Sequence, residues 1–264
     1  MDKQDEIREQ WRMYLEGTHP ALTRHRRLYR LLPSDPRCKW CNAPFQGLGG
    51  SLMRMIGIQP SNLNPRYCNN CDDFARQHLG GAEVELSMLF ADVRGSTTLA
   101  EQMNMTEFSR LISRFYAVAT DVLIQADALI DKLVGDQVTG FFFPGFTGPR
   151  HARAALQAAR KLLEATGHRD AGGPWVPVGV GVHTGRAFVG AVGSESGVAD
   201  VTALGDAVNI AARLSSQAGA GEILVSEDAV QASGMTPDGL EQRQLMLKGR
   251  SQPINVRVVR LDAT

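Results

Sequence analysis

All four cysteines of this 264-residue chain stand in two Cys-x-x-Cys pairs, Cys38-Lys39-Trp40-Cys41 and Cys68-Asn69-Asn70-Cys71. No other feature constrains the fold as much. The 26 residues between the pairs let two knuckles offer four thiolates to one tetrahedral ion. Gly47, Gly49, Gly50, Gly57, Pro60 and Pro65 sit here among few long apolar runs, so this stretch needs a cross-link in place of a large core. The start, Met1-Asp2-Lys3-Gln4-Asp5-Glu6, is too charged to open a secretory signal, and no run of 18 apolar residues occurs. The expectation is a cytoplasmic protein with no membrane span, where reducing conditions favour metal binding over disulfides. Zinc is the first choice of metal; an iron–sulfur cluster also satisfies the ligand count.

Charge names no partner, because 28 basic side chains balance 28 acidic ones. Residues 1–80 carry twelve Lys and Arg against eight Asp and Glu, most visibly at Arg24, Arg26, Arg27 and Arg30. Residues 42–67 show neither interleaved aromatics nor a basic stripe, which argues against a nucleic-acid-binding finger. The length suits two domains. Turn chemistry at Pro33-Ser34-Asp35-Pro36 and the Leu79-Gly80-Gly81 junction divide the chain into a helical segment (1–35), a cysteine module (36–80) and a larger domain (81–264).

The larger domain alternates strand and helix signals. Val84 to Phe90 reads as a strand, Thr106 to Ala126 as an amphipathic helix, and Ala128–Ile130 with Val138–Phe143 as a hairpin around Gly135-Asp136. An Ala-rich helix spans Arg150 to Thr166, followed by strands at Val176–Val182 and Ala187–Val192. Asp206–Gln217 is helical, and strands follow at Glu222–Val225, near Gln244–Leu247, and at Asn255–Val259. The order β-α-β-β-α-β with appended strands predicts an α+β sandwich, with helices on one face of a largely antiparallel sheet.

Three motifs carry chemistry. Phe90-Ala91-Asp92-Val93-Arg94-Gly95-Ser96-Thr97 delivers a carboxylate at a strand end, before a turn whose N–H groups can meet phosphate oxygens. Taken alone it also reads as a helix cap. Lys132-Leu133-Val134-Gly135-Asp136 puts a second carboxylate at a hairpin tip, where a plain turn needs no function. In Leu204-Gly205-Asp206-Ala207-Val208-Asn209-Ile210-Ala211-Ala212-Arg213, Asn209 and Arg213 share a helix face while Ile210, Ala211 and Ala212 can pack inward.

In motif order and spacing, with His183-Thr184-Gly185-Arg186 and Leu247-Lys248-Gly249, residues 83–262 resemble the catalytic domain of class III adenylate and guanylate cyclases, a ferredoxin-like sandwich. The resemblance implies that Asp92 and Asp136 hold two Mg²⁺ or Mn²⁺ ions. One activates the ribose 3′-hydroxyl and the other grips the departing pyrophosphate. It implies that Lys132 and Thr202 read the purine edge, with lysine suited to adenine N1. Many relatives carry aspartate at the Thr202 position. Asn209 would orient the ribose, Arg213 would stabilise charge at the α-phosphate, and Lys248 and Arg186 would face phosphates, as would the Gly95-Ser96-Thr97 turn. No side chain stands out as a dedicated general base.

In that family the metal aspartates and the base-reading residues come from different subunits. This chain carries both sets, so the resemblance implies a homodimer with two composite sites acting on ATP. The alternatives are a guanylate or dual-specificity cyclase, or a silent cyclase-fold sensor or scaffold. Intact Asp92, Asp136, Asn209 and Arg213 favour the enzyme, because a scaffold needs none of them. The cysteine module would then regulate or stabilise the dimer.

Overall fold

The computed structural model describes residues 2–18, 20–33, 36–194, 199–247 and 252–261. Its elements run α1 (Lys3–Glu16), α2 (Pro20–Arg30), α3 (Gly47–Met55), α4 (Asn69–Gln77), β1 (Gly80–Val93), α5 (Ser96–Gln102), α6 (Met105–Gln125), β2 (Leu129–Val134) and β3 (Gln137–Phe142). There follow α7 (Pro144–Thr147), α8 (His151–Ala165), β4 (Val178–Gly193), β5 (Ala199–Leu204), α9 (Asp206–Gln217), β6 (Glu222–Ser226), α10 (Glu227–Ser233), β7 (Glu241–Leu245) and β8 (Ile254–Arg260). The chain divides into two compact units. One comprises Met1–Val84, Pro144–Gly148 and Ala187–Leu204; the other comprises Glu85–Phe143, Pro149–Arg186 and Gly205–Thr264.

The strands pair in the order β2-β3-β1-β4-β6-β8-β7, with β5 added to β4; β5, residues 80–84 of β1 and residues 187–193 of β4 belong to the first unit and the rest to the second. The β1–β3, β2–β3, β4–β5, β6–β8 and β7–β8 pairings are antiparallel, while in β4 with β6 Val180, Gly181 and Val182 run parallel to Ile223, Leu224 and Val225. Helix α6 starts at a capping box in which the Asn104 side chain accepts from the Glu107 N–H and Glu107 returns the bond. It then buries Ile112, Phe115, Ala119 and Leu123 at helical spacing. These side chains join Leu89, Ala91, Val93, Val138, Ile223, Val225, Val259 and the alanine and leucine face of α8 in one core.

Leu224, Val256 and Val258 alternate with those strand residues and point the other way, where Ile210 and Leu214 of α9 and its C-cap residue Ala218 cover them. Helices therefore lie on both faces of the sheet, not on one as the element order predicts. The reason is local: α9 sits so close to β4 that a Cβ on Gly181 would fall 2.3 Å from the Ser215 nitrogen. Glycine there lets the helix carrying Asn209 and Arg213 rest on the strand backbone. Strand β4 is also one unbroken element, where the sequence predicts two strands separated at His183–Arg186. Gly185 and Arg186 look like turn residues but remain within the strand.

The first unit has a different interior. Trp11 meets Trp40 edge-on at 5.5 Å and Phe74 at 5.4 Å, Tyr14 meets Phe74 at 5.0 Å, and Trp40 meets Phe146 at 5.0 Å. The Arg26 guanidinium lies 4.0 Å over the Phe146 ring. The Trp11 indole N–H donates to the His78 carbonyl at 2.9 Å, so its one polar atom is satisfied. Thiolates are thus not the only cross-link: an aromatic cluster ties α1, α4, α7 and the first cysteine knuckle together. Helices α3 and α4 are absent from the sequence expectation, because each is only nine residues long.

Candidate active site and cysteine centre

The two carboxylates are brought together by register. Antiparallel pairing sets Asp92 opposite Gln137, and the Val93 N–H donates to the Asp136 carbonyl at 3.1 Å, which leaves both side chains at one end of the β1–β3 pair. Asp92 is half-buried. Burial raises its pKa above the usual carboxylate value, the neighbouring Arg94 opposes the rise, and the Asp136 charge adds to it. Two close carboxylates, one of them half-desolvated, form a donor set that suits a hard divalent cation. Gly135 takes a left-handed φ of 63° at the hairpin tip, where Tyr116 of α6 clamps it by donating to its carbonyl at 2.7 Å.

Arg94 has no role in the sequence analysis, yet it organises this corner. It ion-pairs with Asp92, donates from Nη1 to the Ser216 carbonyl at 2.9 Å, and donates from its backbone N–H to the Pro177 carbonyl at 2.8 Å. It therefore connects the Asp92 strand end to the C-terminal turn of α9. The Asp-x-Arg spacing was its only signal in the sequence. Gly95 follows with φ 66° and opens α5, bringing Ser96 and Thr97 into the first turn of that helix.

On α9, Asn209 is exposed and Arg213 half-buried, one turn apart, while Ala207, Ile210, Ala211 and Leu214 are buried. Ala212, expected inside, is half-exposed. Lys132 is exposed on β2, beside the buried Asp131. Arg186 is exposed on β4 and lines a cleft of about 640 Å³ with His183, Thr184, Asp206, Asp228 and Gln231. Among the described residues, neither Asp92, Asp136, Asn209 nor Arg213 lines that cleft. Thr202 is buried in β5 and belongs to the cysteine-containing unit. Lys248 lies outside the described residues.

The four cysteines meet. Their Sγ atoms all lie within 4.8 Å of one another, with Cys41 and Cys68 3.7 Å apart, and Cys38, Cys41 and Cys68 are buried. The Cys68 N–H donates to the Cys38 sulfur at 3.2 Å. Burial opposes ionisation of Cys38, but hydrogen bonds from Cys41, Cys68 and Cys71 bring its pKa well below the ordinary thiol value. Cys41 and Cys71 are pushed well above that value, chiefly by their hydrogen bonds to Cys38.

The knuckles also grip β5. Lys39 Nζ donates to Asp200 Oδ1 at 3.0 Å and to the Val201 carbonyl at 2.9 Å. Tyr67 donates to Asp200 Oδ1 at 2.6 Å and accepts from the Val201 N–H at 3.0 Å. Arg66 reaches Asp200 Oδ2 at 2.5 Å, and Asn64 donates to the Ala199 carbonyl at 3.1 Å. Burial opposes the Asp200 charge, but Lys39, Tyr67 and Arg66 outweigh it and hold the carboxyl below the usual range.

No helix among the described residues is long and apolar enough to cross a membrane. Residues 82–258 match the model of the adenylate and guanylate cyclase catalytic domain. An adenylate cyclase of Anabaena cylindrica is 31% identical over 186 residues, covering 66% of this chain and 36% of that protein. The terminal-differentiation adenylate cyclase of Dictyostelium discoideum is 28% identical over 188 residues, covering 68% of this chain but 9% of its own length. This chain thus corresponds to about a third or less of those relatives. Among solved structures, the adenylyl cyclase CyaB from P. aeruginosa superposes with a TM-score of 0.58 at 28% identity, over 68% of this chain and 96% of that one. A guanylyl cyclase superposes at 0.62 and 24% identity, over 68% and 93%, and shares the α+β fold. With its strand-end carboxylates, its Asn-x-x-x-Arg helix and this fold, the chain belongs to the adenylate and guanylate cyclase catalytic-domain family.

Proposed function

We propose that the protein is an adenylate cyclase, forming 3′,5′-cyclic AMP and pyrophosphate from ATP at two sites shared across a homodimer. The observation that carries this reading is the Asp92–Asp136 pair, held at one strand end by register and by the Val93 hydrogen bond. These carboxylates would hold two Mg²⁺ or Mn²⁺ ions, which supply Lewis acidity at the 3′-hydroxyl and neutralise the polyphosphate.

The remaining work falls to the chain itself. Asn209 fixes the ribose, so that its 3′-oxygen lies in line with the α-phosphate. Arg213, one turn along α9, meets the charge that grows on the α-phosphate oxygens. Gly95, Ser96 and Thr97 offer the first N–H groups of α5 to phosphate oxygens, beside a glycine whose missing Cβ leaves open space. Arg186 and Lys248 complete the binding of the terminal phosphates. Lys132 donates to adenine N1, while the Thr202 hydroxyl accepts from the 6-amino group.

The dimer rests on the family's division of metal-holding and base-reading residues between subunits, both sets being present in this one chain.

We infer one Zn²⁺ in the cysteine centre. A tetrahedral ion with bonds of ~2.3 Å sets its sulfurs about 3.8 Å apart, and the Cys41–Cys68 separation of 3.7 Å fits this. A cluster distributes its thiolates over more than one iron, and so needs wider spacing than a set lying wholly within 4.8 Å.

Incubation of purified protein with Mn²⁺ and either ATP or GTP, with the products identified by mass, tests the proposal. ATP should give the higher kcat/KM, because Lys132 opposes the protonated N1 of guanine. A higher kcat/KM with GTP would make the protein a guanylate cyclase, and no cyclic product from either nucleotide would reduce it to a scaffold.

A further inference from the structure

Strand β5 is the place where the cysteine centre and the proposed base-reading residue come within two residues of each other. Asp200 and Thr202 lie two apart on β5 and therefore project to the same side of the strand. Among the described residues β5 pairs only with β4, its register setting Gly190 opposite Thr202 and Val192 opposite Asp200. An edge strand with one partner needs other contacts to fix its position.

Those contacts come from residues inside or beside the two cysteine knuckles. Lys39 lies between Cys38 and Cys41, and Tyr67 immediately precedes Cys68. The knuckles are joined to each other as well, the Lys39 N–H donating to the Arg66 carbonyl at 2.8 Å. The Lys39 side chain is only 5% exposed, so its ammonium is committed to Asp200 and the Val201 carbonyl. A buried charge of this kind is a costly way to glue two surfaces together and a good way to fix one geometry.

From the other side β4 is pressed close to β1. A Cβ on Gly190 would fall 2.0 Å from the Gly80 carbonyl oxygen, so the residue opposite Thr202 has no room to shift.

We propose that Asp200 is a positioning residue for Thr202, and that the metal in the cysteine centre controls nucleotide selection through the Lys39–Tyr67–Asp200 latch. This rests on the reading of Thr202 as the residue that meets the purine edge. The four thiolates set where Lys39 and Tyr67 stand, those two set the carboxylate of Asp200, and the strand carries that position to the Thr202 hydroxyl. Loss of the metal slackens the latch, so nucleotide affinity and the ATP:GTP ratio change although no substrate-binding residue is altered.

The test uses the full-length zinc-loaded protein and Asp200→Asn, which keeps the side-chain shape and removes the charge. Zinc per chain and melting behaviour should match the parent. KM for ATP should rise at least about fivefold with kcat within about twofold, and the preference for ATP over GTP should shrink. Stripping zinc from the parent with a chelator under reducing conditions should shift KM in the same direction, while the same treatment of Asp200→Asn should add little. Tyr67→Phe removes the hydroxyl that donates to Asp200 and accepts from the Val201 N–H, without touching any charge, and should give an intermediate shift; it serves as the measurement if Asp200→Asn fails to fold.

An active parent whose Asp200→Asn or Tyr67→Phe variant keeps the parental KM and ATP:GTP ratio overturns the latch alone. So does an active parent indifferent to zinc removal. A zinc-loaded parent that makes no cyclic nucleotide overturns the cyclase reading, and the latch with it.

Discussion

The two compact units of this chain solve the stability problem in opposite ways. The sheet unit buries a long series of small and branched aliphatics, such as Ala155, Ala159, Leu162, Val180, Val182 and Ile223, each contributing a modest share. The cysteine unit concentrates its cohesion in a few large groups: the Trp11, Trp40, Phe74 and Phe146 cluster, and four thiols within 4.8 Å of one another. Distributed burial leaves its margins free to carry polar chemistry: Asp92 at a strand end, Asp136 at a hairpin tip, and Asn209 and Arg213 on the less buried face of α9. Concentrated cohesion instead makes the cysteine unit sensitive to the loss of any one of these groups. That contrast can be broken experimentally.

The largest effect should follow from replacing Cys38 and Cys41 together by serine. Structural zinc in small modules is worth on the order of 10 kcal/mol, so metal should leave and the α4 amides should exchange rapidly while those of α8 remain protected. Equal protection loss in both helices, followed by hydrogen exchange and mass spectrometry, would show that the units do not differ as described. Trp11→Ala should come next, at about 3–5 kcal/mol for a fully buried indole, again confined to the cysteine unit.

Asp92→Asn should act on function instead. Activity should fall at least about a hundredfold, comparable to the loss of one charge-stabilising group in other active sites. The melting temperature should hold or rise, since burial, together with Asp136, disfavours the Asp92 charge by more than the Arg94 ion pair favours it. A large loss of stability would assign Asp92 a structural duty.

The smallest effect concerns Glu222, which accepts from Arg243 and Arg260 and from the Gly219 N–H. Arg243 hydrogen bonding, with burial opposing it, holds the Glu222 carboxyl down at about 2, against an ordinary 4.5. The unfolded chain therefore binds the proton first. This stabilisation is complete above the ordinary value and is lost as pH falls from there towards about 2. Glu222→Gln should cost about 1–3 kcal/mol near neutrality and flatten the acid limb of stability against pH. Parallel acid limbs for the two proteins would contradict this.

Much of the sheet unit was legible because its signals are local. The α6 and α9 faces follow from spacing, and the carboxylates from strand-end and turn chemistry. What stayed hidden depends on distant packing. Arg94 and Tyr116 act through backbone carbonyls at Ser216 and Gly135, and no side-chain pattern advertises a carbonyl acceptor. The aromatic cluster joins Trp11 to Phe146 through Trp40 across about half of the chain, which periodicity cannot reveal. The sequence divides strand β4 at His183–Arg186 because a glycine needed for close approach, here Gly185, where a Cβ would fall 3.1 Å from the Ala207 Cβ, resembles a glycine needed for a turn.

The central claim is that each site takes its metal-holding carboxylates from one copy and its ribose and phosphate residues from another. Subunit mixing tests it most directly. Asp92→Ala and Arg213→Ala proteins, each nearly inactive alone, should regain cyclase activity when mixed under conditions where mass spectrometry shows exchange. About a quarter of the parental rate is expected, since half the dimers are then mixed and each rebuilds one intact site. Mixtures that exchange subunits and stay inactive would show that a single copy holds the whole site.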